Sequence, residues 1–331
     1  MVSPGDARLV HLSRRAMACE FEICLSADDY ARGAEAALEA LDRVEQLEAQ
    51  LSVFRADSEV SQINRTAADG PVEVEPGLFA LLELAADLHR ATQGAYDITA
   101  GPLWEAWGFA RRQGAVPSPQ QLAEAAARVD GRLIELDSGR RTIHFLRPGM
   151  TLNLGSIGKG YAVDCCARRL LESGLTDFLI HGGHSSVLAH GAIGTAGEAP
   201  GWLVGLRDPL HPEHRAGQLR LMDQALGTSG AQFQSFRHRG RRYGHILDPR
   251  TGWPAEGVLS ATVLAPNAAR ADGLSTAFYV LGPEGARAYC GEHPEVAAVL
   301  FTPAQGTHGW TLHTAGTLPG LETTTPKPGH T

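Results

Sequence analysis

Apolar and polar positions change rhythm several times along the chain. Phe21, Ile23 and Leu25 alternate with polar neighbours, the period of a half-buried strand. Over 31–51, Leu38, Leu41, Val44, Leu47 and Leu51 recur every three or four residues, which predicts an amphipathic helix. A second helix is predicted over 77–91, where Leu78, Leu81, Leu82, Ala85 and Leu88 share one side. Residues 110–150 read as a helix near 119–128 and two short strands parted by a turn at Asp137–Gly139. A strand over 152–154 then runs into a glycine-bearing turn, 155–158, and a helix over about 159–173 capped by Gly174. Strands are expected at 178–180, 185–189, 202–206, 219–221, 259–264 and 297–301, with loops at 192–200 and 208–217. Helices are expected at 268–281, stopping at Gly282 and Pro283, and at 284–291. Residues 315–331, rich in threonine and proline, read as a disordered tail. Nothing resembles a linker or a short repeat, so 1–314 is expected to form one integrated α+β unit.

Composition narrows the class. A chain of 331 residues that is 43% hydrophobic and 20% charged can bury a full core. Its 29 Lys+Arg against 37 Asp+Glu give a net charge of −8, which argues against a coat for nucleic acid. One small phosphorylated ligand stays possible, because that needs only a few local groups. No apolar run is long enough to span a membrane. Charges at Asp6, Arg8, Arg14 and Arg15 interrupt the N-terminus, so no secretory leader is expected. The five cysteines, two of them adjacent at Cys165 and Cys166, read as reduced thiols of a cytoplasmic protein.

Three clusters could carry chemistry. Gly155–Gly160, with Ser156 and Lys159, lies between a strand and a helix start, where backbone amides and a lysine can meet a phosphate. It is neither a P-loop nor GxGxxG, and a plain helix start fits it equally well. Asp272 and Thr276 stand one helical turn apart and offer hard oxygen ligands of the kind Mg²⁺ or Ca²⁺ takes. A capping or surface pair is the alternative. His245 precedes the tight turn Asp248–Gly252 and is either a general base or an ordinary histidine. The pairs His181/His184 and His211/His214 match no zinc motif, no cysteine or carboxylate cluster completes them, and they read as strand and loop histidines.

Taken in order, the blocks resemble the ApbE-type FAD:protein FMN transferases. They are Met17–Phe21, Leu51–Phe54 with Ser58–Asn64, Gly94–Leu103, Leu154–Asp164, His181–Gly183, Gly227–Gly230, Gly244–Gly252 and Ala271–Ala277. The resemblance covers about 17–301. It implies an α+β, T-fold-related unit of mixed or antiparallel sheets packed with helices, acting as a monomer or homodimer. It also implies transfer of FMN from FAD to a Thr or Ser of an acceptor protein, with AMP released. By the same resemblance Mg²⁺ is held by Asp272, Thr276 and the Ser156 carbonyl, and Lys159 contacts FAD. Met17, Phe54, Ala95, Tyr96, Asp97, Asn153 and Ile246 line the flavin or adenine, and His245 activates the acceptor hydroxyl. The same site could serve an FAD pyrophosphatase or a non-catalytic FAD-binding protein. Asn153, Phe54, His184 and Ala231 depart from the family's usual Asp, Tyr, Asp/Glu and Asp.

Overall fold

The computed structural model describes residues 9–193, 200–230, 234–305 and 309–323. Its centre is an eight-stranded sheet of β1 (Leu9–Ala16), β2 (Cys19–Ser26), β3 (Phe178–Gly182), β4 (Ser186–His190), β7 (Gln224–Gly230), β8 (Ser260–Ala265), β9 (Ala297–Pro303) and β10 (Trp310–Ala315). They pair in that spatial order, each antiparallel to the next. A smaller sheet joins β5 (Trp202–Arg207), β6 (Arg215–Leu221) and β11 (Glu322–Thr323). Helices α1 (Ala27–Leu51), α2 (Glu59–Thr66), α3 (Pro76–Ala91), α4 (Gly101–Ala106), α5 (Pro119–Ala126), α6 (Gly158–Glu172) and α7 (Ala268–Glu292) complete the frame.

Alternation along the strands decides the layers. Phe21, Ile23 and Leu25 point one way and are buried with Leu41, Val44, Leu47, Val163, Leu170, Leu274 and Phe278 of α1, α6 and α7. Cys24, Leu179, Val187 and Leu226 point the other way and meet Trp202, Leu206 and Leu219 of the small sheet. A third cluster joins Trp107 and Phe109 to Tyr243 and Leu247, and the Trp107 indole donates to the Gly252 carbonyl at 2.8 Å. No helix among the described residues is long and apolar enough to cross a membrane.

Helix ends are fixed by side chains. Ser26 accepts from the Asp29 amide at the start of α1, and Asn267 from the Arg270 amide at the start of α7. Asp164 of α6 also accepts from the Ala268 and Ala269 amides, at 2.7 and 2.9 Å. Its carboxylate takes up two of the donors a helix N-terminus leaves free. The expected break after 281 is a kink: Gly282 (φ 71°) precedes Pro283 inside α7.

Several expectations change. Residues 152–154 form no strand. The Asn64 side chain brackets Leu152, accepting from its amide at 2.7 Å and donating to its carbonyl at 3.0 Å, in place of a neighbouring strand. The expected loop over 208–217 ends early, because Arg215 already pairs with Arg207. Of the expected tail, Ala315 closes β10 and Glu322–Thr323 pair with β6. Leu318 and Leu321 pack on the second core there, which gives that stretch an apolar reason to dock. Residues 324–331 lie outside the described residues.

Candidate active site

One end of the large sheet gathers the β1–β2 turn, the β3–β4 turn, the end of β7 and the start of α6 around a cavity of about 510 Å³. Met17, Phe54, Ala95, Tyr96, Asp97, Asn153, Ser156, Lys159, His245, Ile246, Asp272 and Thr276 all border it. Met17 and Thr276, 259 positions apart in sequence, thus share one space.

Asp272 is buried in the wall of this cavity. Helix α7 reaches β7 because Gly227 carries no side chain: a Cβ there would lie 2.6 Å from the Asp272 amide nitrogen and inside the Ala271 backbone. The Asp272 carboxylate, 5% exposed, accepts from the Ser186 hydroxyl at 2.7 and 2.8 Å and from the Gly160 amide at 2.8 Å. Burial pushes its carboxyl up to about 6, although Lys159 and these donors pull the other way. It has no ion-pair partner within 4.0 Å among the described residues. Beside it, the Ser229 hydroxyl lies 2.8 Å from that of Ser275 and 3.1 Å from that of Thr276. A buried carboxylate without a direct ion-pair contact among the described residues, beside several hydroxyls and bordering a cavity, fits a small hard divalent cation.

His245 is set up differently. Its Nδ1 lies 3.0 Å from the Gln234 carbonyl, which can only accept, so Nδ1 carries the proton. Burial, helped by the charge of Lys159, holds the imidazole below its usual range. The neutral ring therefore keeps a lone pair on Nε2, the form a general base requires.

The remaining residues build walls. The Tyr96 hydroxyl accepts from Ser156 Oγ at 3.3 Å, and burial pushes the phenol well above its usual range. The Asp97 carboxylate is fully engaged by the protein, through the Thr99 amide (2.7 Å) and hydroxyl (2.6 Å) and the Gly131 amide (2.9 Å). Asn153 Oδ1 accepts from the Gly155 amide at 2.9 Å and shapes the turn before α6. Phe54 stands at the rim, 73% exposed. Met17 (φ 50°) and Ala18 (φ 59°) form a two-residue hairpin turn of the type I′ pattern. His184 borders a different cavity, while its neighbours Gly183 and Ser185 border this one. Ala231 lies outside the described residues.

Some participants carry no local signal in the sequence. Ser186 is one serine in a strand, and Gly160 acts through its amide. Ser229 and Ser275 meet only when α7 lies on β7. Asp164 stands within the family-like stretch Leu154–Asp164 but shows its capping role only in three dimensions.

Comparison with known proteins shows the family. Residues 17–301 match the ApbE family. The chain belongs to the ApbE family. It is 35% identical over 280 residues to the FAD:protein FMN transferase of Treponema pallidum, covering 80% of this chain and 76% of that one. It is 34% identical over 249 residues to the FAD:protein FMN transferase of Haemophilus influenzae, covering 72% and 70%. The crystal structure of the ApbE protein of Thermotoga maritima superposes with a TM-score of 0.80 at 28% identity, over 93% of this chain and 97% of that one. The flavin transferase ApbE of Vibrio cholerae gives 0.76 at 26% identity, over 93% and 97%. The mixed fold with an antiparallel sheet is that of its ApbE relatives, and family membership places the chain among enzymes of flavin transfer.

Proposed function

We propose that this ApbE-family chain is a Mg²⁺-dependent FAD:protein FMN transferase. It would join FMN through a phosphoester to a Thr or Ser of an acceptor protein and release AMP. The observation that carries the reading is the convergence of Asp272, Thr276, Lys159 and a neutral His245 on one cavity. Breaking a pyrophosphate needs charge placed against the phosphates, a hydroxyl nucleophile in line, and a group to take its proton. Lys159 supplies fixed positive charge beside the cavity. His245 Nε2 is the acceptor for the hydroxyl proton, and Gln234 holds the ring in that tautomer. Tyr96, Ile246 and Met17 offer apolar wall to a flavin or adenine ring, and Phe54 a stacking face at the mouth. Asp272, Thr276 and the Ser156 carbonyl are the residues that would hold Mg²⁺. When bound, the ion neutralises phosphate charge and favours departure of AMP.

The test is mass spectrometry of a Ser/Thr acceptor-motif peptide incubated with the protein, FAD and Mg²⁺. The expected product is the peptide heavier by FMN less one water. AMP released while the peptide stays unmodified would assign hydrolysis instead, and intact FAD would leave only binding.

A further inference from the structure

The opposite face of the large sheet carries a second group of chemistry-bearing side chains. His11 of β1 lies opposite Cys24 of β2, and Glu22 of β2 lies opposite His181 of β3. Residues 22 and 24 point away from Phe21, Ile23 and Leu25, hence away from the helices. His11 Nδ1 is 2.9 Å from Glu22 Oε1, and Cys24 Sγ is 3.4 Å from each of these atoms. His181 Nε2 lies 3.2 Å from the same Oε1. Three side chains thus converge on one carboxylate oxygen. Cys24 is buried and the His11 side chain is 47% exposed, so the group opens into a cavity of about 470 Å³. His11, Glu22 and Cys24 each offer a ligand atom, and these three atoms lie within 4.8 Å of one another, close enough to share one metal ion.

We propose that His11, Glu22 and Cys24 bind a zinc-class divalent ion, with His181 orienting Glu22 and the fourth position open to the cavity. Imidazole, thiolate and carboxylate together suit Zn²⁺, whereas Mg²⁺ takes oxygen alone. The site is therefore separate in place and in chemistry from the one around Asp272. Bonds of about 2.0–2.3 Å in a tetrahedral centre set ligand atoms roughly 3.3–3.7 Å apart. The observed triangle of 2.9, 3.4 and 3.4 Å needs only its nitrogen–oxygen side to open slightly. On binding, Cys24 releases its thiol proton to solvent and the ion takes the proton's place against Glu22. The ion then clamps the edge strand β1 to β2, whose shared turn at Met17 and Ala18 borders the first cavity.

Chelator-treated full-length protein, free of FAD, is titrated with Co²⁺ and, separately, with Zn²⁺. One equivalent of Co²⁺ is expected to give a thiolate-to-cobalt charge-transfer band and the strong visible bands of a four-coordinate ion. Cys24→Ser removes the charge-transfer band. His11→Ala, at an exposed position that leaves the core intact, weakens affinity at least about 10-fold. Zn²⁺ raises the Tm of the wild type and not of His11→Ala. Cys19→Ser and Asp272→Asn keep the band. Absence of the band in the wild type overturns the proposal. So does its survival in Cys24→Ser, its loss in Cys19→Ser, or unchanged affinity in His11→Ala.

Discussion

Two side chains divide the chemistry of the first cavity. Asp272 is a buried carboxylate with polar partners and, among the described residues, no ion pair within 4.0 Å, and His245 is an imidazole that burial holds below its usual range. Asp272→Asn keeps an acceptor for Ser186 and Gly160, so the fold should survive while peptide modification falls about 100-fold or more. A melting curve and the mass assay together check both halves. Asp272→Ala is a harsher change, because the Gly160 amide then loses its acceptor at a cost of about 1–3 kcal/mol. For His245, the depressed imidazole pKa means the basic form persists below the ordinary value of about 6.5. The acid limb of kcat/KM for transfer is expected below that value. His245→Gln should lower kcat by about 10²–10⁴ and flatten the limb. A limb unchanged in the variant would assign it to another group.

At the scale of elements, the position of α7 governs the site. Gly227→Ala places a methyl group in the Ala271 backbone, so helix and strand must part. A loss of about 1–3 kcal/mol is expected in urea unfolding, with activity lost alongside. Asp164 anchors the same helix end, and burial pushes its carboxyl up to about 6 despite two amide donors. A raised carboxyl contributes stability that is full below about pH 3.8 and fades as pH rises through about 6. The stability of the wild type relative to Asp164→Asn should therefore shrink across that window, as urea midpoints at several pH values would show. The helices α1, α3 and α6 were legible because their apolar periods are local, as were the turn at Asp248–Gly252 and the interruption at Gly282. The bracket of Asn64 on Leu152 joins residues 88 apart and leaves no periodic trace. The residues that the resemblance implied for the site all border the first cavity, but it gave no part to Ser229 and Ser275, which stand inside its blocks, or to Ser186, which stands outside them, because their parts depend on α7 lying on β7. Reading His181 by its spacing to His184 missed Glu22 and Cys24, because the grouping follows cross-strand register.

Across the whole molecule, the large sheet separates two cavities, and Thr228 and Gly230 of β7 border both. The small sheet closes the second cavity, and the stretch to Thr323 supports it through Leu318, Leu321 and the pairing with β6. Removing residues from 316 onward should lower the Tm while leaving flavin transfer at low temperature close to that of the full chain. Equal melting temperatures would show that this stretch adds nothing to the fold. The turn at Met17 and Ala18 has a different consequence. Each residue holds a left-handed backbone that an L side chain resists by about 1–2 kcal/mol. Ala18→Gly should relieve that strain and make the protein harder to unfold, while letting the lip of the first cavity wander. Selection for thermal endurance and selection for a firm grip on the flavin would then pull this one position in opposite directions.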